Sequence, residues 1–454
     1  MLSWTLWLIL LGYGVLMWWI APTTKTFPSF FQGKDRTGKN PEVAILTASI
    51  VVSWIFAKSI TNAANLGRSY GLMGGLAYAG YYIGIPICGI LIIRLRRMTG
   101  SRSLAEYVSK TYGNAAVKFF MAIVLLRLYN EVWSNTAVVG SYFGQPESYS
   151  FILSAIAFTV LVLIYSLKGG LRASLVTDFI QFGLLVFAVL LTLLWVVPQA
   201  PALSITPQES GFWNSGVDLL LVALIQCIPY TFHDPVLTDR AFLAGAKTTY
   251  RAYLLAGIIA SSLIILFSFV GMAARVIGGD AAVDAPVQAA AAGGTGILAL
   301  MLSVMMLSGG STLDSTFSST SKAVAIDLKV GSQPILLGKI SMVAMAIVGN
   351  LPMLFGTNIL KATTVSGTMV LGLAPIFLLI SRHKLPQAAF FAPVGISVIL
   401  GIVSALNPAL LPWQIGSGEN ASLLAWNLVT FILVWIVFGY FYWQGKFKVD
   451  NSSK

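Results

Sequence analysis

One stretch near residue 310 concentrates oxygen-bearing side chains within an apolar chain. Ser308, Ser311, Thr312 and Ser315 recur at spacings of three and four residues, so on a helix their hydroxyls share one face. Asp314 lies on the flank of that face. Hydroxyls alone are typical of tight helix packing in bilayers. A carboxylate inside an apolar segment is costly to bury, and its presence favours a binding site for a cation.

A lysine in another apolar segment also requires an explanation. Lys58 stands one helical turn after Trp54, and a buried ammonium must find a partner or lose its proton. It either clamps a substrate carboxylate or forms a structural ion pair with Glu131 or Asp314. Glu131 follows Arg127 by four residues, a helical spacing that also lets these two side chains pair with each other.

Aromatic and polar side chains near Lys58 are candidates for the walls of a small-molecule pocket. Such pockets combine aromatic surfaces with a few polar groups that orient the ligand. The predicted substrate-contacting residues are Trp54, Lys58, Ser59, Tyr129, Glu131 and Tyr230.

The grouping of His233, Asp234 and Asp239 is the one concentration of potentially catalytic side chains. The chain has two histidines and two cysteines, and their spacing matches no metal-binding pattern. A membrane-embedded enzyme is therefore a remote alternative, and the sequence predicts no enzyme. Asp239 and Arg240 are expected to form a charge cluster at the cytoplasmic end of a helix.

The composition places these residues in a membrane protein. The chain has 454 residues, 57% hydrophobic and 10% charged, which is too apolar for a soluble globule. Apolar stretches long enough to cross a bilayer predict about thirteen spans. The predicted spans are 4–20, 43–61, 72–93, 116–140, 150–167, 172–197, 217–243, 252–273, 296–324, 335–355, 359–381, 387–406 and 421–443.

Positive charge alternates with these spans instead of forming a basic domain. The net charge is +12, but its distribution argues against nucleic-acid binding, and nothing indicates an obligate protein partner. The bias of lysine and arginine between alternate loops places the amino terminus outside and the carboxyl terminus in the cytoplasm. We expect a multi-pass protein of the cytoplasmic (inner) membrane. The basic segments are 25–39, 94–110, 168–172, 240–251, 322–339, 382–384 and 446–448.

Two spans contain helix-weakening residues at membrane depth. Span 217–243 carries Pro229 and Pro235, and span 43–61 ends in the polar stretch 58–62. Each comes first in a block of five spans, a pattern that indicates an inverted repeat with its binding site at the midplane. The predicted divisions are an amino-terminal helix and loop (1–42), a first repeat (43–197), a second repeat (198–381) and two final helices with a short tail (382–454).

Two segments resemble a known family, the sodium/solute symporters, which include sodium-proline, sodium-galactose and sodium-sialic acid carriers. Residues 169–181 contain Gly169-Gly170 followed by Thr177-Asp178 and Gln181, similar to the signature that opens the family's fifth core helix. The Ser311-Thr312 pair, ahead of Asp327-Leu328, is similar to the eighth core helix. The resemblance implies an all-α fold of about 13 transmembrane helices, with a leucine-transporter-type 5+5 inverted repeat, one extra amino-terminal helix and two extra carboxyl-terminal helices.

The resemblance also implies a sodium site between the first and eighth core helices. Its ligands would be the carbonyls of Val52 and Ile55 and the hydroxyls of Ser308, Ser311 and Thr312. Sodium is a small, hard cation that suits neutral oxygen ligands.

A second site, for sodium or a proton, would use Asp178 with Ser311, Asp314 and Ser315. Asp314 departs from the serine of those family members, and two carboxylates in one pocket repel unless a proton or cation neutralises them. Alternatively, Asp178 caps its helix near Lys168 and Arg172.

The predicted function is therefore sodium-coupled symport of a small polar organic solute by alternating access. The solute could be an amino acid, a carboxylate, a sugar or a urea-like compound. The main alternative uses the same scaffold with protons as the driving ion, and a non-transporting sensor is a further alternative. The predicted coupling ion is Na⁺, and the predicted partners are the solute and the lipid bilayer.

Overall fold

The computed structural model describes residues 2–199, 215–280, 282–355 and 366–452, and all regular structure in these ranges is helical. The helices before the first large gap follow the predicted spans closely. They are α1 (Leu2–Ile20), α2 (Phe27–Gln32), α3 (Val43–Trp54), α4 (Ala57–Tyr70), α5 (Leu72–Ala79), α6 (Gly84–Thr99), α7 (Leu104–Tyr112), α8 (Asn114–Gly140) and α9 (Tyr149–Gln199).

The remaining helices begin at residue 215. A π-helical turn, Ala323–Asp327, extends the long helix α14. The helices are α10 (Ser215–Phe232), α11 (Pro235–Thr238), α12 (Ala246–Ile277), α13 (Ala285–Ala292), α14 (Gly294–Lys322), α15 (Pro334–Gly349), α16 (Leu373–Leu378), α17 (Ala388–Leu406) and α18 (Ala421–Ser452).

The described helices have the distribution of polarity expected for a bilayer. Seven of them are long and apolar enough to cross a membrane, and two bent pairs raise the number to nine. Their outward surfaces expose large apolar residues such as Phe187, Ile258 and Ile436. Some charged side chains, including Lys58, Glu131 and Arg240, lie inside the bundle. The predicted count of thirteen stays a prediction, because the span 359–381 begins outside the described ranges.

The paired glycines of the signature segment interrupt helix α9. Gly170 has φ 54° and ψ −139°, a backbone conformation that only glycine adopts without strain. A Cβ atom there would also lie 2.6 Å from the carbonyl oxygen of Phe30, and one on Gly169 would collide with the carbonyl of Pro22. The break separates the predicted spans 150–167 and 172–197, and it lets the α1–α2 segment cross the helix.

The two helices predicted to be interrupted are both bent. The axes of α3 and α4 differ by 59°, and those of the α10 segment and the Pro235–Phe242 segment differ by 65°. Helix α14 packs against α9, α3 and α8, and α3 also packs against α9. The bend after α3 therefore faces the hydroxyl-bearing side of α14, next to the second half of α9. The assignment of the repeat boundaries and flanking segments stays a prediction.

Candidate functional site

The end of helix α3 meets the hydroxyl face of α14 in the interior of the bundle. Ser311 donates to the carbonyl of Val52 at 2.7 Å, and Ser308 donates to the carbonyl of Ile55. Thr312 donates to a third carbonyl, that of Ser53, at 3.2 Å. We call these three carbonyls and three hydroxyls the α3–α14 junction.

The carbonyls of the junction are available because the helix stops there. Ile55 has φ −80° and ψ 75°, which is not helical, so the last carbonyls of α3 lack the amide partners of a continuing helix. The neighbouring carbonyl of Trp54 accepts a hydrogen bond from Tyr82 Oη at 3.0 Å. All six junction groups are neutral oxygens buried from solvent, and this donor set fits a small monovalent cation.

A second oxygen cluster lies next to the junction around Asp178. The carboxylate oxygen Oδ2 of Asp178 accepts hydrogen bonds from Ser49 Oγ at 2.5 Å and Ser53 Oγ at 3.3 Å. Arg240 Nη2 lies 3.2 Å from the same oxygen. Asp178 is fully buried, and its other oxygen, Oδ1, has no hydrogen-bond partner. Asp178 therefore does not cap its helix near Lys168 and Arg172.

Asp314 completes this cluster with a different set of partners. Its Oδ1 accepts a hydrogen bond from Ser174 Oγ at 2.7 Å, and its Oδ2 accepts from Tyr165 Oη and Thr177 Oγ1, both at 3.0 Å. Ser174 also lies 3.3 Å from Asp178 Oδ2, so one hydroxyl bridges the two acids. We call Arg240, Asp178 and Asp314 the Arg240 cluster. The cluster contains one cationic side chain and two carboxylic acids.

Arg240 does not lie at a cytoplasmic helix end, and the sequence-based expectation for it was wrong. Its side chain is fully buried, because the bend at Pro235 turns the chain so that residue 240 faces α3 and α14. Nε donates to Ser49 at 2.7 Å, Nη2 donates to Ser315 at 2.6 Å, and Nη1 donates to the carbonyl of Val236. Arg240 lies inside the predicted span 217–243, and an arginine within an apolar span usually faces the protein interior. This signal could have identified Arg240 as a buried residue.

Four more charged side chains form a network on the other side of the bend. Lys58 Nζ lies 2.6 Å from Glu131 Oε1, and Arg127 contacts both Glu131 and Asp234, the latter at 3.2 Å. All four side chains are buried. We call them the charged quartet; two cations balance two carboxylates. Of the alternatives left open for Lys58, the structure shows the pair with Glu131 and not one with Asp314.

Aromatic rings surround the quartet. The indole of Trp54 donates to Asp234 Oδ2 at 2.9 Å, and the guanidinium of Arg127 lies 4.9 Å from the ring centre of Tyr230. Trp54 and Tyr230 are in edge contact at 6.3 Å, and Ser59 is within 3.2 Å of the Tyr78 hydroxyl. These predicted substrate-contacting residues are buried, so neighbouring helices cover them in this structure.

Tyr129 is the one predicted pocket residue that the structure places elsewhere. Its ring packs in a separate group with Trp133, Phe151 and Met353. Tyr129 and Glu131 are two residues apart on α8, so their side chains point about 200° away from each other around the helix. Glu131 faces the quartet, and Tyr129 consequently faces away from it.

The three residues of the enzyme alternative enter separate interactions. His233 Nδ1 lies 2.7 Å from the carbonyl of Tyr230, Asp234 belongs to the quartet, and Asp239 pairs with Lys322 at 2.6 Å. Side chains arranged in this way do not form a nucleophile or a general acid-base pair.

A cavity of about 1200 Å³ opens on the side predicted to be cytoplasmic. Its lining includes Arg96, Lys118, Asp239, Lys322 and Lys329. Lys322 lies between Asp239 and Asp327, at 2.6 and 3.3 Å. All three side chains line the cavity, whereas the members of the Arg240 cluster do not.

Comparisons with known proteins identify the fold. A substrate-bound, outward-open structure of a Na⁺-coupled sialic acid symporter superposes with a TM-score of 0.72 and 16% identity, covering 95% of this chain and 96% of that chain. A nucleobase-cation-symport-1 family transporter, in a closed conformation with bromovinylhydantoin bound, gives 0.59 at 13% identity, with 93% and 94% coverage. The chain is a multi-pass membrane protein with the leucine-transporter-type fold, as the sequence predicted.

Sequence comparison finds a family match over part of the chain. The sodium:solute symporter family matches residues 38–211, which confirms the resemblance predicted from the glycine and Thr-Asp motif. A urea-proton symporter of Oryza sativa subsp. japonica is 25% identical over 36% of this chain and 23% of its own length. The chain thus matches about a quarter of that relative. The matched family and the structural neighbours are transporters and not enzymes.

Proposed function

We propose that this chain is a sodium-coupled symporter that moves a small polar organic solute by alternating access. The α3–α14 junction is the observation that carries the proposal. Carbonyls at a helix break and hydroxyls of a facing helix supply neutral oxygens that would hold sodium. When bound, sodium would join the two helices through these ligands. Val52, Ser53 and Ile55 would act through their backbones, and Ser308, Ser311 and Thr312 through their side chains.

The solute would bind beside the charged quartet, next to Trp54 and Tyr230. Lys58 and Arg127 already face Glu131 and Asp234, so a simple anion would have to displace an internal carboxylate. A neutral or zwitterionic solute that hydrogen-bonds with the quartet avoids that cost. Each ligand would favour the helix arrangement that the other needs, which couples the two binding events.

We also propose the membrane in which the chain is inserted and its orientation there. The charge asymmetry of the loops supports insertion in the cytoplasmic membrane with the amino terminus outside. The large basic cavity would then face the cytoplasm, where the solute leaves.

Solute uptake by purified protein in liposomes tests the coupling ion. We expect an inward sodium gradient to drive accumulation of the solute, whereas an equal potassium gradient does not. A thermal-shift screen of small polar solutes in sodium and in potassium would first identify the solute. Equal uptake with and without the sodium gradient would exclude sodium coupling.

Proton coupling is the second candidate. Two observations favour it: Asp178 and Asp314 lie bridged by Ser174, and the rice relative is named as a urea-proton symporter. Uptake driven by an imposed pH gradient in sodium-free buffer would support this candidate, and uptake that requires sodium at every pH gradient would contradict it.

A further inference from the structure

The guanidinium of Arg240 occupies the position that a cation would take among the oxygens of its cluster. Each of its three nitrogens is engaged: Nε with Ser49, Nη1 with the carbonyl of Val236, and Nη2 with Ser53, Asp178 and Ser315. Asp178 and Ser315 are two of the residues predicted to hold a second sodium ion. Arg240 therefore already contacts oxygens that a second sodium ion would use.

The other carboxylate of the cluster is satisfied without a cation. Asp314 accepts hydrogen bonds from the hydroxyls of Ser174, Tyr165 and Thr177, which offset part of the cost of burying its carboxyl group. Asp178 is paired with arginine, and Asp314 with hydroxyls. The two acids therefore have different main partners, and the fixed cation of the cluster lies against Asp178.

We propose that Arg240 is a built-in cation that replaces a second sodium ion, so that each chain binds one sodium ion, at the α3–α14 junction. This inference rests on the proposed sodium coupling. Arg240 sets the number of sodium ions because it is covalently attached to the bend after α10 and cannot exchange with the solution. Ser53 links the two places: its carbonyl belongs to the junction, and its hydroxyl lies 3.1 Å from Arg240 Nη2.

Removing the guanidinium should create the missing sodium site. In Arg240→Gln, two buried carboxylates lose their counter-charge, and the oxygens of Ser53, Ser315 and Asp178 become free to ligate an ion. The unpartnered Asp178 Oδ1 adds a further ligand. An uncompensated buried charge strongly favours uptake of a cation.

The test is the number of sodium ions bound per purified chain, measured with radioactive sodium at saturation. We expect one ion for the native protein, two for Arg240→Gln, and one for Arg240→Lys, which keeps the positive charge. The sodium dependence of uptake should change accordingly, from a Hill coefficient of about 1 toward about 2. Arg240→Gln should also gain more thermal stability from sodium chloride than from choline chloride, relative to the native protein.

The outcomes separate this inference from the proposed function. Two sodium ions bound to the native protein would overturn the inference and leave sodium coupling intact. No bound sodium would overturn the sodium coupling itself. If Arg240→Gln fails to fold, Arg240→Gln combined with Asp178→Asn restores the charge of the native cluster. That double variant should bind one sodium ion, and an unchanged count of one in folded Arg240→Gln would contradict the inference.

Discussion

The charged quartet and the α3–α14 junction lie on either side of the same helix break, but they are satisfied in opposite ways. The quartet pairs two fixed cations with two fixed carboxylates, so its charges balance within the protein. The junction brings together uncharged carbonyl and hydroxyl oxygens. A balanced network holds helices in place, whereas a neutral oxygen cage can accept and release an ion at modest cost.

The Arg240 cluster shares one property with each of these two sites. It has the buried carboxylates of an ion site and the fixed cation of a structural network. Burial of charge therefore does not by itself identify a coupling site. What matters is whether the neutralising charge is attached to the chain or comes from the solution.

The largest expected effect is on the quartet. Lys58→Met or Glu131→Gln alone leaves the quartet with one unbalanced buried charge and should lower the free energy of unfolding by about 3–5 kcal/mol. The double variant keeps the Arg127–Asp234 pair and should recover much of that loss. Thermal or denaturant unfolding of the four proteins in detergent gives the coupling energy.

The pair Lys110–Glu106 is the matched control for this cycle. Its nitrogen and oxygen are also 2.6 Å apart, but its side chains are 52% and 35% exposed. Its coupling energy should be below about 1 kcal/mol. Equal coupling energies for the two pairs would contradict the structural role assigned to the quartet.

The next-largest effect is expected for Trp54, whose indole donates to Asp234 of the quartet. Trp54→Phe keeps a ring but removes the hydrogen bond to Asp234, and a bond to a charged group contributes about 1.5–3 kcal/mol. We expect lower stability and a higher KM for the solute. Tyr129→Phe changes a ring in the other aromatic group, so it should leave the KM unchanged. If Tyr129→Phe raises the KM and Trp54→Phe does not, the solute binds away from the quartet.

The smallest expected effect is on the sodium dependence set by the junction. Thr312→Ala removes one of the neutral oxygens, and we expect about a tenfold higher sodium concentration for half-maximal uptake, equivalent to about 1.4 kcal/mol. Protein stability without sodium should change little. Thr316→Ala is the control one turn further along α14, because the hydroxyl of Thr316 has no hydrogen-bond partner. An identical sodium dependence in both variants would argue against the junction as the site.

Much of the fold could be predicted because its signals are local. Apolar length locates the spans, and Pro235 directly follows one bend, whereas Pro229 lies inside α10. The other break falls at residues 55–56, just before the polar stretch 58–62. The hydroxyl face of α14 follows from helical periodicity. Helices α17 and α18 each begin within one residue of the start of the predicted span. Contacts between residues that are distant in sequence are harder to predict. Periodicity shows on which face of its helix a residue lies, but it does not show which residue lies opposite.

Arg240 and Tyr129 show the two ways in which such reasoning fails. Arginine near the end of an apolar stretch is usually a loop residue, so the rule assigned Arg240 to the surface; the bend at Pro235 directed it inward. Tyr129 and Glu131 are both predicted to contact the substrate, although they are two positions apart on α8. The helix turns about 100° per residue, and the packing of α8 decided which of the two faces the bend.

The amino-acid sequence by itself determined the membrane class, the positions of the helices and the breaks, and the set of hydroxyls that line one face of α14. These properties depend on hydropathy, proline and glycine chemistry, and helical spacing. The tertiary structure alone decided which carbonyls those hydroxyls meet, that Lys58 pairs with Glu131, and that a guanidinium lies beside Asp178. Charge balance in a low-dielectric interior is a property of neighbours in space, and helix packing brings together groups such as Ser49 and Arg240 that are 191 positions apart in the chain.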